Sequence, residues 1–302
     1  MTVWVCGEAL IDLIPVEPGS EQRNAIPGGG PANTAHALAR LGIPTEFIGG
    51  LSDDEYGRRM RAEFIADGVG LTFTPEHKLP TCLAIVSIAI DGGATYEFKI
   101  DGTATFAFEA ETLPDPNEFT PDAIYIGTLA TIIEPGAKIL KDWIEKSKDC
   151  APIIYDPNIR SAVISDRSKY RDVVENWVGL SNVVKASEDD LTWLYPEIEP
   201  LEIARTWVAQ GVKLVVITKG ENGITGITEN QEISIPGVKV DVIDTVGAGD
   251  TVGAVLVEAI VGSGLDKLTS EFLSHTLHRA ALAASITCSR AGANPPSKVE
   301  LL

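Results

Sequence analysis

With 302 residues, 44% of them hydrophobic and 22% charged, the chain can bury a large core, which excludes a disordered segment and fits one α/β domain with an appendage. Its formal net charge of −19 argues against nucleic acid or an anionic membrane as partner, since both demand a basic face. No run reaches the roughly 18 apolar residues of a membrane span, and Met1–Gly7 reads as a strand rather than a signal peptide, so a cytoplasmic protein is expected. In chain order, short apolar runs alternate with amphipathic helical stretches. First come Val3–Cys6, a helix over about 32–41, Thr45–Ile48 and a helix over about 56–67. The alternation resumes with Ala123–Ile126, a helix over about 135–146, Ile153–Tyr155, a helix over about 168–177 and Val183–Lys185. It ends with a helix over about 203–210, Leu214–Thr218, a strand pair over about 223–240, and helices over about 248–261 and 270–289. Apolar strands alternating with helices imply a mostly parallel sheet covered on both faces, a three-layer α/β/α sandwich.

Two stretches break this rhythm. Residues 13–27 and 81–108 carry Gly and Pro turns with period-two alternation, as in Thr95-Tyr96-Glu97-Phe98-Lys99-Ile100. Such strands have one wet face and cannot join a buried parallel sheet, so they are read as a small β-lid beside the main domain. Strands such as Ile85–Ile90 and Thr95–Ile100 leave apolar residues on a small sheet, so two chains are expected to pack lid to lid as a homodimer. Cys6, Cys82, Cys150 and Cys288 show no paired spacing and read as buried small hydrophobes rather than metal ligands.

The chemistry-bearing segment is Asp244-Thr245-Val246-Gly247-Ala248-Gly249-Asp250, between strand-like Val238–Val242 and an apolar helix. Small residues at 247–249 let free backbone N–H groups and the helix dipole face an anion without side-chain obstruction. Asp250, in the first turn beside that anion hole, suits a base that takes a proton from an attacking hydroxyl. A tight turn with Asp250 as a helix cap would also explain these residues. A second glycine cluster, Pro27-Gly28-Gly29-Gly30-Pro31-Ala32-Asn33, again stands where irregular chain enters a helix and favours a ligand site. The G-x-G-x-x-G fingerprint is absent from both, which weighs against a nicotinamide-dependent oxidoreductase.

Taken together, Gly28-Gly29-Gly30-Pro31-Ala32-Asn33-Thr34-Ala35 with Leu41-Gly42, and Asp244–Asp250, resemble the two signatures of the ribokinase (PfkB) family of carbohydrate kinases, in its fructokinase-like branch. The resemblance runs from Gly7-Glu8-Ala9-Leu10-Ile11-Asp12 to Arg290-Ala291-Gly292-Ala293. It implies a ribokinase-like fold and ATP with Mg²⁺ as donor. Asp250 then matches the catalytic base and Gly247, Ala248 and Gly249 the anion hole, while Asp12, Gly28, Gly29 and Asn33 match sugar contacts, joined by Asn158 and by Lys99 of the lid. Asp156-Pro157-Asn158-Ile159-Arg160 resembles the D-P-N-x-R stretch of fructokinases and 2-keto-3-deoxygluconate kinases, with Arg160 near the nucleotide phosphates. Lys185, Ser187, Thr218, Gly220 and Gly223 match further nucleotide positions. The family's N-x-x-E motif stands here as Ser187-Glu188-Asp189-Asp190, so Asp190 or Glu188 would be the magnesium-linked carboxylate. Some members hold K⁺ on backbone oxygens, and the matching positions here are Asp244, Val246 and Gly292. Fructose going to fructose 6-phosphate is the first expected reaction, with 2-keto-3-deoxygluconate and then ribose or a nucleoside behind it. A non-catalytic sugar or nucleotide sensor is the alternative of a different class.

Overall fold

Apolar β-branched runs can occupy the middle of a sheet only if helices cover both of its faces. In the computed structural model, which describes residues 2–17, 19–88 and 94–302, they do. The strands are β1 (Val3–Cys6), β2 (Leu10–Pro15), β3 (Arg23–Gly28), β4 (Thr45–Ile48), β5 (Leu51–Ser52), β6 (Glu76–His77), β7 (Leu83–Ile88), β8 (Ala94–Lys99), β9 (Ala123–Gly127), β10 (Ile153–Asp156), β11 (Val183–Ser187), β12 (Leu214–Thr218), β13 (Ile224–Ile227) and β14 (Glu232–Ile235). The helices are α1 (Gly30–Arg40), α2 (Glu55–Asp67), α3 (Pro116–Phe119), α4 (Gly136–Ser147), α5 (Arg167–Val178), α6 (Glu188–Leu194), α7 (Pro200–Ala209), α8 (Ala248–Ser263) and α9 (Ser270–Cys288).

Eight strands form the main sheet in the order β14-β13-β12-β11-β10-β9-β1-β4. The six from β12 to β4 run parallel, and β13 and β14 extend them as an antiparallel hairpin. Side chains alternate across this sheet. Trp4, Ile124, Ile153 and Tyr155 face α4 to α7, whereas Val3, Val5, Tyr125 and Ile154 face α1, α2, α8 and α9. The three-layer α/β/α sandwich is therefore a direct result of period two in the strands. Helix α5 shows the matching logic: Tyr170, Val174, Trp177 and Val178 form one buried stripe, and Asp166 caps the start by accepting the N–H groups of Ser168 and Lys169. Truncating Trp177 would cost about 3–5 kcal/mol in such a core.

Register brings strand ends level, with Cys6 opposite Ile126, Asp156 opposite Gly127 and Ser187 opposite Thr218. The carboxyl ends of the parallel strands thus share one rim, the side on which open α/β sheets bind ligands. A second sheet, β3-β2-β7-β8, stands beside that rim. Strand β3 alternates in exposure, and the sheet begins at Leu10 rather than 13, so Asp12 belongs to it. Residues 104–108 turn back into the main core, with Phe106 and Phe108 buried. The expected strand Ile85–Ile90 ends at Ile88, its last residues lying outside the described ones.

The expected strand at Val238–Val242 does not form. β14 ends the sheet at Ile235, and Pro236-Gly237 turns the chain against the backbone of Glu221, where no Cβ fits, so Val238, Val240 and Val242 stay exposed without a strand partner. Helix α6 is an addition, started by a capping box in which Ser187 and Asp190 bond each other's backbone N–H. Of the cysteines, Cys6 and Cys82 are buried, but Cys150 is exposed because it lies past the end of α4.

Candidate active site

The N-termini of α1 and α8 meet at the rim. Gly247 starts α8 in the left-handed region (φ 79°), and a Cβ there would stand 2.6 Å from that of Ala293. Only glycine suits both conditions. No side chain among the described residues caps α8, so its first N–H groups point out of the helix, where such groups can receive an anion. Asp250 in that turn is not the cap either: its Oδ2 accepts a 2.8 Å hydrogen bond from Asn33 Nδ2 in the first turn of α1. Burial pushes the Asp250 carboxyl up to about 6, opposed by the Lys185 ammonium and by the Asn33 bond.

Around this carboxylate the structure brings together Asn33, Asn158, Arg160 and Lys185. Asp12 pairs in register with Ile26, near Gly28, and burial raises its carboxyl to about 6 against the nearby Arg160 charge. Gly28, Asn33 and Ala293 line a cavity of about 220 Å³ that continues along α1 past His36 and Arg40. Asn158, in the left-handed region (φ 36°), accepts from Arg160 Nη1 on its side-chain oxygen at 2.7 Å. Lys185 is 3% exposed, and its Nζ pairs at 2.9 Å with Asp156 Oδ2, which also accepts from Tyr125 Oη at 3.1 Å. A Cβ on Gly249 would stand 2.8 Å from the same Nζ, so this ammonium lies against the first turn of α8.

At the end of β12, Thr218 leads into a tight turn in which Gly220 and Gly223 both take positive φ and Lys219 bonds back to Gly223. Exposed Val242, Ile243 and Val246 lie just upstream of Gly247, an apolar surface in the segment that leads to the anion site. Asp244 ties two loops together, Oδ1 accepting from Val246 N–H at 3.0 Å and Oδ2 from Gly292 N–H at 2.9 Å.

Three expected positions have other occupations. Lys99 is exposed on β8 and pairs with Glu97. Ser187 is the cap of α6. Asp190 accepts from Ile159 N–H on Oδ1 at 2.8 Å and from Ser187 N–H on Oδ2 at 3.1 Å, so both oxygens hold backbone in place. Among the described residues no group of three His, Cys, Asp or Glu could hold a metal ion. Two residues not singled out from the sequence, Glu8 and Thr128, lie buried in the same cluster. An acid between Val-Trp-Val-Cys-Gly and Ala-Leu-Ile was the available signal for Glu8, whereas nothing local marks Thr128.

A family model described as pfkB family carbohydrate kinase matches residues 2–300. A fructokinase of Rhizobium leguminosarum bv. trifolii is 35% identical over 254 residues, covering 83% of this chain and 77% of the relative. The crystal structure of a Xylella fastidiosa fructokinase with bound ATP superposes with a TM-score of 0.90 over 99% of this chain and 97% of its own, and its 22% identity makes it evidence of fold alone. A double-mutant fructokinase of Vibrio cholerae O395, described with fructose, ADP and a potassium ion, gives a TM-score of 0.87 at 26% identity, covering 99% of this chain and 96% of that one.

Proposed function

The chain belongs to the pfkB family of carbohydrate kinases and is a phosphotransferase acting on a sugar hydroxyl, and we propose that it transfers the terminal phosphoryl group of ATP to the 6-hydroxyl of fructose. The observation that carries the chemistry is Asp250, buried, oriented by Asn33 and set in the uncapped first turn of α8. In this reading Asp250 takes the proton of the attacking hydroxyl while the N–H groups of 247–249 receive the phosphoryl oxygens. Asp12, Gly28, Gly29, Asn33 and Asn158 hold the sugar. The turn at Thr218, Gly220 and Gly223, with Arg160 and Lys185, holds the nucleotide, and Val242 and Ile243 offer apolar surface to its base.

Two carboxylates, half-buried Asp12 and buried Asp250, favour a neutral polyol over a sugar acid, whose own carboxylate they would repel; this puts fructose ahead of 2-keto-3-deoxygluconate. A magnesium ion, when carried in on ATP, neutralises phosphate charge, and it needs few protein ligands of its own. The two loops that Asp244 joins would supply backbone oxygens of Asp244, Val246 and Gly292 to a potassium ion, the ion described with the Vibrio cholerae protein. Exposed Ile26 and Tyr96 on the second sheet suit its role as a lid shared by two chains. No helix among the described residues is long and apolar enough to cross a membrane, and a cytoplasmic location is part of the proposal.

A coupled ADP-release screen over fructose, 2-keto-3-deoxygluconate, ribose, glucose and adenosine tests the reading. Fructose should give the highest kcat/KM. Preference for another of the five replaces the sugar, and no ADP release with any of them leaves a binding protein.

A further inference from the structure

Glu8 is a buried acid that the chemistry above does not use. It follows β1 through Gly7 and is 2% exposed, and burial raises its carboxyl, against the bonds from Thr128 and Ala130. Its Oε2 accepts the Ala130 N–H at 3.1 Å, and its Oε1 pairs with the Thr128 hydroxyl. A carboxyl group is a costly way to fill such a place unless it holds something. What it holds is strained: Thr128 has φ 54°, a left-handed conformation that β-branched residues rarely take. Glycine would adopt it freely, but glycine has neither the hydroxyl nor the methyl.

The methyl group shows where the strain is directed. Thr128 follows β9 on the rim, and a Cβ on Gly30 would stand 2.8 Å from Thr128 Cγ2, 3.1 Å from Asn158 Nδ2 and 3.3 Å from Asp250 Oδ1. These three groups therefore converge on the first residue of α1. Three positions further along the same helix, Asn33 makes its bond to Asp250.

We propose that Glu8 and Thr128 are a positioning pair for the sugar: Glu8 holds Thr128 in its left-handed conformation, and the Thr128 methyl seats the Gly29–Gly30 turn and with it the Asn33–Asp250 contact. The proposal rests on the sugar-kinase reading. Released from Glu8, Thr128 would relax toward negative φ and withdraw its methyl, leaving the turn that carries the sugar contacts free to shift. Misplacement by about 1 Å costs up to about 100-fold in rate.

The test uses the full chain with fructose and ATP. Thr128→Val keeps the shape and removes the hydroxyl, Thr128→Ser keeps the hydroxyl and removes the methyl, and Glu8→Gln can still accept the Ala130 N–H and donate to Thr128. Thr128→Val should lose about 10- to 100-fold in kcat/KM for the sugar with the KM for ATP nearly unchanged and the Tm lower by no more than the few degrees that an unpaired Glu8 oxygen costs. Glu8→Gln should stay close to wild type, whereas Thr128→Ser, which has no methyl to seat the turn, should also lose kcat/KM for the sugar. Glu8→Leu should resemble Thr128→Val, and the double variant should be no worse than either, because both break one link; if Glu8→Leu fails to fold, the two Thr128 variants decide alone. Wild-type sugar kinetics in Thr128→Val overturn the inference, and so does an equal loss toward sugar and ATP accompanied by a lower Tm. A wild-type chain without sugar-dependent ADP release overturns both readings, whereas an active wild type with an indifferent Thr128→Val overturns this one alone.

Discussion

Asn33 Nδ2 donates a 2.8 Å hydrogen bond to Asp250 Oδ2 across 217 residues of chain, joining the first turns of α1 and α8. The carboxylate is thereby aimed by a neutral donor rather than used as a helix cap. Burial alone would drive its proton affinity higher, and Lys185 and Asn33 hold it at about 6. At pH 7 such a group is roughly 90% ionised yet markedly more basic than an ordinary aspartate, which is the compromise a general base needs.

Activity should therefore fall on the acid side with a midpoint near pH 6. Asp12 is raised to about 6 by the same cause, so two carboxylates titrate together and log kcat/KM for the sugar should fall with a slope approaching 2 below pH 6. Asp12→Asn should reduce that slope to 1 in whatever activity it keeps. A profile that stays flat down to pH 5 would contradict both roles.

Much of this site was legible because its parts are local. The glycines at 28–30 and 247–249 mark the turns that enter α1 and α8, and period two and period 3.6 give the sheet and its helices. The misread strand Val238–Val242 has a strand's residues, but a strand also needs a free edge, and the Pro236-Gly237 turn leads the chain away from β14. Ser187 and Asp190 match a ligand motif and also a capping box, and the local bonds are those of the cap. The left-handed backbone of Thr128 depends on Glu8, 120 residues away, so no local pattern could contain it.

Gly247→Ala should be costly for two independent reasons, the positive φ and the 2.6 Å approach to Ala293. We expect a loss of about 1–3 kcal/mol and, if 247–249 receive the phosphoryl oxygens as proposed, a marked fall in kcat. Urea titration and steady-state kinetics check the two parts, and an unchanged midpoint would show that the turn is looser than its geometry.

Lys185→Met should destabilise the fold by about 3–5 kcal/mol by leaving Asp156 buried without its counter-charge. Asp156 Oδ1 has no hydrogen-bond partner among the described residues, so only the Tyr125 hydroxyl on Oδ2 would remain to the carboxylate. The double variant Lys185→Met/Asp156→Asn should recover more than half of the loss, as read from denaturation midpoints. If the single variant is as stable as wild type, the pair is not the anchor of this rim.

A potassium ion beside the anion site would raise the rate by adding positive charge and by bracing the loops that Asp244 joins. Initial rates should be higher in potassium than in tetramethylammonium chloride at matched ionic strength. Equal rates in the two salts remove the ion from the proposal.

Asp250→Asn separates catalysis from stability most sharply. The amide keeps the volume and can still accept from Asn33, but it cannot take the hydroxyl proton, so kcat should drop about 10²- to 10⁴-fold with the sugar affinity largely retained. Stability should move the other way. The Asp250 carboxyl is raised in the folded chain to about 6 against about 3.9 unfolded, so its contribution to stability is fully present below pH 4 and is lost as pH rises through 6. By pH 8 the buried charge costs on the order of 2–3 kcal/mol, part of which the neutral amide returns. The Asn variant should therefore melt a few degrees above wild type at pH 8 and nearly level with it at pH 4, opposite to the effect of deleting a helix cap. A variant that keeps more than about a tenth of wild-type kcat would show that Asp250 is not the base.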